Sequence, residues 1–143
     1  RVVGKGARSL ALRLGGSLPL YAGAGPRALL AFLPEAERRD ILAHFDRAAE
    51  TDPEVPERRQ LQRLIDEIRS AGASISDEDV TPGIAAVGAP VCNHRGELEA
   101  AVSVSTVRVR LLQDRPRTIN LVLRAAEAIS WELGFRGTGE AEA

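Results

Sequence analysis

Residues 84–107, IAAVGAPVCNHRGELEAAVSVSTV, predict a β-hairpin. The first nine residues are almost all small and apolar, which is typical of a strand that is buried on both faces. The tetrapeptide NHRG at 93–96 follows as a turn, and residues 98–107 form the returning strand. Because side chains alternate between the two faces of a strand, Ser103 and Ser105 point to the same face.

Helices are expected on both sides of this hairpin. Before it, apolar residues at i, i+3, i+4 and i+7 predict an amphipathic helix, which Gly72 ends as a left-handed cap. An extended run at 73–76 follows that helix, and a second helix begins beyond Asp114. The stripe of the first helix is formed by Leu61, Leu64, Ile65 and Ile68, and that of the second by Ile119, Val122, Leu123, Ala126, Ile129 and Leu133.

The N-terminal part of the sequence predicts one more strand and two more helices. Leu10, Leu12 and Leu14 alternate with polar or small residues and indicate a half-buried strand over 8–14. The remaining elements are a turn at 15–17, an extended piece at 18–21, a small-residue loop at 22–26, and helices that begin at Arg27 and Pro34. This order predicts an α+β fold, in which helices pack on an antiparallel sheet.

The composition is typical of one globular domain. The chain has 143 residues and a mass of 15.3 kDa, with 44% hydrophobic and 27% charged residues. We expect a single domain over residues 1–137 and a frayed tail over 138–143. Methionine is absent and Arg1 comes first, so we expect the chain to be a fragment of a longer protein.

Charge and cysteine content exclude several classes of function. Lys plus Arg is 19 and Asp plus Glu is 20, for a net charge of -1, so the chain lacks the basic excess that drives binding to a phosphate backbone. A single cysteine, Cys92, excludes an intrachain disulfide framework and a cysteine-rich zinc site. No apolar stretch has the length of a membrane span and no signal-peptide pattern opens the chain. We therefore expect no membrane partner and a cytoplasmic location.

Groups that could carry catalysis or bind a metal are few. Cys92 and His94 could supply two ligands, but a structural zinc site needs about four, and we expect a core cysteine beside a solvated turn histidine. Asp77, Glu78 and Asp79 do not all face one way, so we expect a solvated loop there rather than a cation site. We expect no metal, no cofactor and no enzymatic activity.

Three features leave alternatives open. The small residues at 22–26 either let the next helix pack closely or leave backbone donors free for an anion. Ser103 and Ser105 either line a polar pocket or form a row of hydroxyls that faces solvent or bonds to the backbone. Arg108 and Arg110 are either exposed residues at the end of a strand or partners of a carboxylate.

Motifs along nearly the whole chain occur in the order found in one known family. They are LPLYA (18–22), RALLAFLP (27–34), VTPGIAA (80–86), APV (89–91), RG (95–96), AAVSVS (100–105), RL (110–111), AA (125–126), IS (129–130) and LG (133–134). As an ordered set they resemble the C-terminal effector-binding, or ligand-sensing, domain of IclR-type transcriptional regulators. The chain has Pro26-Arg27 where that family usually has Gly-Lys, Thr106-Val107 where it often has Gly-Pro, and Ser76 where it often has an acid or another polar group.

The resemblance implies a GAF- or PAS-like effector domain without the N-terminal winged helix-turn-helix. It implies a small organic acid as effector, a homodimer or tetramer, and contact with operator DNA only through the absent domain. A stand-alone small-molecule-binding module, or an enzyme of similar fold, is the alternative. The resemblance places the ligand pocket between the sheet and the small-residue loop. The pocket residues that it implies are Leu10, Ala24, Gly25, Ser76, Ala86, Ser103 and Ser105.

Overall fold

Among the residues that the structure describes, the predicted hairpin forms two of the three strands of an antiparallel sheet. The computed structural model describes residues 14–137. Its elements are α1 (Ala24–Phe32), α2 (Glu35–Ala49), α3 (Arg58–Ala71), β1 (Ser74–Asp77), β2 (Ile84–Cys92), β3 (Leu98–Val107), α4 (Arg108–Gln113) and α5 (Arg115–Glu132). The strand order is β1-β2-β3, and both neighbouring pairs are antiparallel. The predicted α+β class is confirmed.

Helices cover both faces of the sheet, which explains why β2 is almost entirely small and apolar. On one face, α4 and α5 pack against the odd-numbered positions of β2. The buried residues of this first core are Ala73, Ala85, Val87, Ala89, Val91, Leu111, Val122 and Ala126. Alanine and valine alternate on the β2 side of this core, so the strand presents small side chains to α5.

On the other face, α1 packs against the even-numbered positions of β2, and α2 and α3 lie behind α1. The buried residues of this second core are Leu30, Ala31, Leu42, Leu61, Ile65 and Ile68. Full burial of one such aliphatic side chain contributes about 1.5–3 kcal/mol. The helix predicted from the α3 stripe is confirmed, and Gly72 ends it with φ of 73°.

The segment before α1 differs from the prediction. α1 begins at Ala24 rather than at Arg27, and the N–H of Ala22 donates to the carbonyl of Pro19, so a turn replaces part of the expected extended piece. The small residues therefore belong partly to the helix itself. The strand predicted over 8–14 lies outside the described residues, apart from Leu14.

The helix α4 was missed because its first residues continue the alternation of β3. Val107, Val109 and Leu111 have the period-2 spacing of a strand, so Arg108 was expected at a strand end. In the structure, the N–H of Arg108 donates to the carbonyl of Gly83 at 2.9 Å. The chain then turns into α4, which places Leu111 in the first core with 1% of its surface exposed.

The predicted apolar stripe of α5 is also partly wrong in its C-terminal half. Ile129 and Leu133 are each 42% exposed, whereas Ser130 between them is buried. The hydroxyl of Ser130 donates to the carbonyl of Ala126 at 2.8 Å and accepts the N–H of Cys92 at 3.0 Å. Two backbone groups therefore satisfy this buried hydroxyl, and one of them is the N–H of Cys92 in β2.

That backbone group lies on a stretch of β2 that extends beyond β1. β1 pairs only with residues 85–88 of β2, so residues 89–92 have no strand partner on that side within the described residues. Pro90 has no N–H to offer, and the N–H of Cys92 is taken by Ser130.

Within residues 14–137, no helix combines the length and the apolar character that a membrane span requires.

Candidate functional site

Two rows of small residues cross the sheet on the side that α1 covers. Residues directly opposite each other in antiparallel strands point to the same face. The pairing registers give Ser74, Gly88 and Ser103 in one row, and Ser76, Ala86 and Ser105 in the other. We call this surface the serine face. It contains four of the predicted pocket residues.

The start of α1 lies directly on the first of these rows. A Cβ atom at Gly88 would be 2.6 Å from the carbonyl oxygen of Ala24, and one at Gly25 would be 3.5 Å from the hydroxyl oxygen of Ser103. The hydroxyl of Ser74 donates to the carbonyl of Ala24. The structure therefore brings together Ala24, Gly25 and Ser103, and the small residues let the helix backbone approach the sheet.

The second row has a buried end and an exposed end. Ser76 and Ala86 are buried, whereas Ser105 on the edge strand is exposed, as is Ser103. The hydroxyl of Ser76 donates to the carboxylate of Asp79. Leu10, the remaining predicted pocket residue, lies outside the described residues.

Asp79 and Arg27 form a polar network beside the serine face that the sequence analysis did not predict. The Oδ2 atom of Asp79 accepts the N–H of Gly23 at 2.9 Å and pairs with the Arg27 guanidinium at 2.8 Å. Arg27 also donates to the carbonyl of Tyr21 at 2.8 Å and to that of Ile75 at 3.3 Å. The side chains of Arg27 and Asp79 are 18% and 23% exposed, so these charges are paired in a largely buried position.

Arg108 holds the other two acids of the same loop. Its Nε lies 2.6 Å from Asp77 Oδ1 and 3.4 Å from Glu78 Oε2, and its Nη2 lies 3.1 Å from Asp77 Oδ2. The hydrogen bond from Arg108 lowers the pKa of Asp77 below its ordinary value. The three acids are exposed, as expected of a solvated segment, and they also form ion pairs with arginines in α1 and α4. Arg108 is already paired and is not a free partner for a ligand carboxylate.

Two cavities lie away from the serine face. An open groove of about 1020 Å³ runs beside α5, with Pro90, Cys92 and Arg124 among its lining residues. A cavity of about 380 Å³ lies between α3 and Arg27. Neither is lined by a predicted pocket residue.

The thiol and the acids of the described part do not assemble a metal site. Cys92 is half-buried, and this burial raises the pKa of its thiol. His94 lies in the exposed hairpin turn, where its Cβ packs against Gly134. Within residues 14–137, no group of three or more His, Cys, Asp or Glu side chains could hold a metal ion.

Comparison with known proteins identifies the family. The family model described as "Bacterial transcriptional regulator IclR C-terminal" matches residues 1–131. The chain belongs to the IclR family. The predicted resemblance to the C-terminal domain of these regulators is confirmed.

Curated relatives and a solved structure agree with the IclR assignment. The HTH-type transcriptional regulator KipR of Bacillus subtilis is 33% identical over 128 residues, which cover 85% of this chain and 49% of KipR. The HTH-type transcriptional repressor AllR of Klebsiella pneumoniae is 34% identical over 124 residues, which cover 86% of this chain and 46% of AllR. The crystal structure of the Thermotoga maritima IclR superimposes with a TM-score of 0.77 at 30% identity, and the match covers 94% of this chain and 55% of that one.

The chain therefore spans about half the length of the curated IclR relatives that it matches. These relatives are named as transcriptional regulators or repressors. The expectation that the chain is not an enzyme is confirmed by this membership.

Proposed function

We propose that this IclR C-terminal domain senses a small organic acid at the serine face. The observation that carries the proposal is the position of two exposed hydroxyls on one face of β3, that of Ser103 beside Gly25 of α1 and that of Ser105 in the next row. A hydroxyl can donate to a carboxylate or accept from a substrate hydroxyl. The proposed lining is Leu10, Ala24, Gly25, Ser76, Ala86, Ser103 and Ser105.

The shape of this surface supports a small ligand. The backbone of α1 takes the space over Gly88, so a ligand would lie over the second row, where Ala86 carries a single side-chain carbon. The hydroxyl of Ser105 stands at the β3 side of this row, and the start of α1 lies over the neighbouring row with Gly25 beside Ser103. A few polar groups around an apolar floor are typical of small-molecule sites.

The proposed mechanism is a shift between two arrangements of a homodimer or tetramer. A ligand changes such an equilibrium only by its difference in affinity for the two arrangements. The change would be transmitted to a winged helix-turn-helix domain of the same regulator, which would contact operator DNA in the cytoplasm. The net charge of -1 supports this division of labour, because phosphate contacts need a basic surface.

The test is a thermal shift experiment with acetate, succinate and benzoate as probes. At least one of these acids is expected to raise the melting temperature of the wild-type chain. Ser103→Leu replaces the hydroxyl beside Gly25 by a larger apolar side chain and should abolish that rise, whereas Ser17→Leu, at an exposed loop position, should retain it. An equal rise in Ser103→Leu, or no rise in the wild type with any of the three acids, contradicts the proposal.

A further inference from the structure

We propose that Asp79 and Arg27 are positioning residues that hold the first turn of α1 against the serine face. The contacts of Asp79 and Arg27 with the start of α1 are independent of any ligand. Only the role of this turn as a cover for the ligand site rests on the proposed function. Asp79 lies in the loop between β1 and β2, whereas Gly23 and Arg27 lie before and within the first turn of α1. The network therefore joins two parts of the chain that are far apart in sequence.

Asp79 supplies the cap that α1 does not have locally. Gly23 occupies the N-cap position, and the helix has no side-chain cap of its own. The N–H groups of a first helical turn have no partner within the helix, and a negative charge near them is favourable. The carboxylate of Asp79 accepts the Gly23 N–H at 2.9 Å across 56 residues of sequence. The start of α1 is thus stabilised by a loop on the sheet side.

Arg27 completes the connection from the helix side. Its guanidinium bonds to the carbonyl of Tyr21, to the carbonyl of Ile75 in β1, and to Asp79. Because the side chains of Arg27 and Asp79 are only 18% and 23% exposed, removal of either one leaves the other charge without its partner in a partly desolvated place. Both side chains are therefore required for the same local arrangement.

The network also reaches the proposed ligand site through Ser76. The hydroxyl of Ser76 donates to the second oxygen of Asp79, and Ser76 is a member of the serine face. Gly25, two residues after the capped Gly23, is the residue whose backbone faces Ser103. Loss of the network would consequently move the part of α1 that covers the serine face.

A second Arg–Asp pair in the chain provides a matched control. Arg58 and Asp46 are 2.6 Å apart and join α3 to α2, but both side chains are more than 40% exposed. Exposed pairs of this kind contribute little to stability. Removal of Asp46 therefore deletes a similar ion pair without touching the start of α1.

The experiment is amide hydrogen exchange, followed by mass spectrometry, on the full chain without any ligand. In Asp79→Ala and Arg27→Met, the amides of residues 23–30 are expected to exchange about tenfold faster than in the wild type, which corresponds to roughly 1.4 kcal/mol of local opening. Asp79→Glu keeps the charge and should restore part of the protection. Asp46→Ala should leave these amides unchanged.

Two outcomes would overturn the assignment. The first is exchange of residues 23–30 within about twofold of the wild type in Asp79→Ala. The second is an equal acceleration in α5, since that would indicate a general loss of stability rather than local release of α1. Because no ligand is present, this result is independent of whether Ser103→Leu abolishes the binding of an organic acid.

Discussion

Gly88→Ala is the sharpest test of the contact between α1 and the sheet. The added Cβ would lie 2.6 Å from the Ala24 carbonyl oxygen, 2.7 Å from its carbonyl carbon and 2.9 Å from the Gly25 nitrogen. All three are backbone atoms, so no flexible side chain can move aside. Overpacking of this kind costs about 1–3 kcal/mol. The weakened Ser74 hydrogen bond to Ala24 adds about 1 kcal/mol, and the lower chain entropy of alanine returns about 0.5–1 kcal/mol.

We therefore expect Gly88→Ala to lower the free energy of unfolding by about 1–3 kcal/mol, and the melting temperature by roughly 4–12 °C for a domain of this size. Urea denaturation and a thermal scan measure both quantities. Gly25→Ala is the matched control, because its Cβ would meet only Ser103 at ordinary contact distances of 3.5 Å and more. Alanine is also the better helix former. The reasoning is refuted if Gly88→Ala is as stable as the wild type, or if Gly25→Ala loses more stability than Gly88→Ala.

Two further predictions concern other contacts. Ser130→Ala leaves the N–H of Cys92 without its acceptor and should lower the free energy of unfolding in urea by about 1–3 kcal/mol. The control Ser105→Ala, at an exposed position, should change that free energy by less than about 0.5 kcal/mol. Equal effects of the two substitutions would contradict the role of Ser130. Arg108→Gln removes the hydrogen bond that lowers the pKa of Asp77 below its ordinary value. A lowered folded-state pKa contributes stability above the unfolded-state pKa that is lost as the pH falls through the folded value. The difference in melting temperature between wild type and Arg108→Gln should therefore be present near neutral pH and disappear in acid below the folded-state pKa of Asp77. A difference that does not change with pH would contradict this role of Arg108.

The strands around the hairpin were predictable because the pattern there is strictly local. Small apolar residues in β2, the turn at 93–96 and the alternation in β3 each determine structure over a few residues, and the observed bounds of both strands match the predicted ones. The helix α4 was not predictable in the same way. Its first four residues alternate like a strand, whereas in the fold Arg108 bonds to the carbonyl of Gly83 and Leu111 is buried in the first core.

The candidate site also has one part that local sequence patterns predict and one part that they do not. The shared face of Ser103 and Ser105 follows from the two-residue period of a strand, so the sequence alone indicates it. The pairing of Arg27 with Asp79 depends on a separation of 52 residues that only the complete fold brings to 2.8 Å. The one local signal was the run of three acids, and it does not tell which arginine each acid meets.

The end of β2 has a consequence for how the sheet can grow. Free N–H and C=O groups along a strand edge recruit further strands, including those of other molecules. At residues 89–92 two of these donors are missing, because Pro90 offers no hydrogen and the Cys92 N–H is already bound by Ser130. Within the described part of the chain, the ten-residue β3 is the longest edge that remains. A strand added by another segment or another molecule would therefore join beside Ser103 and Ser105, so growth of the sheet and access to the serine face would occur at the same edge.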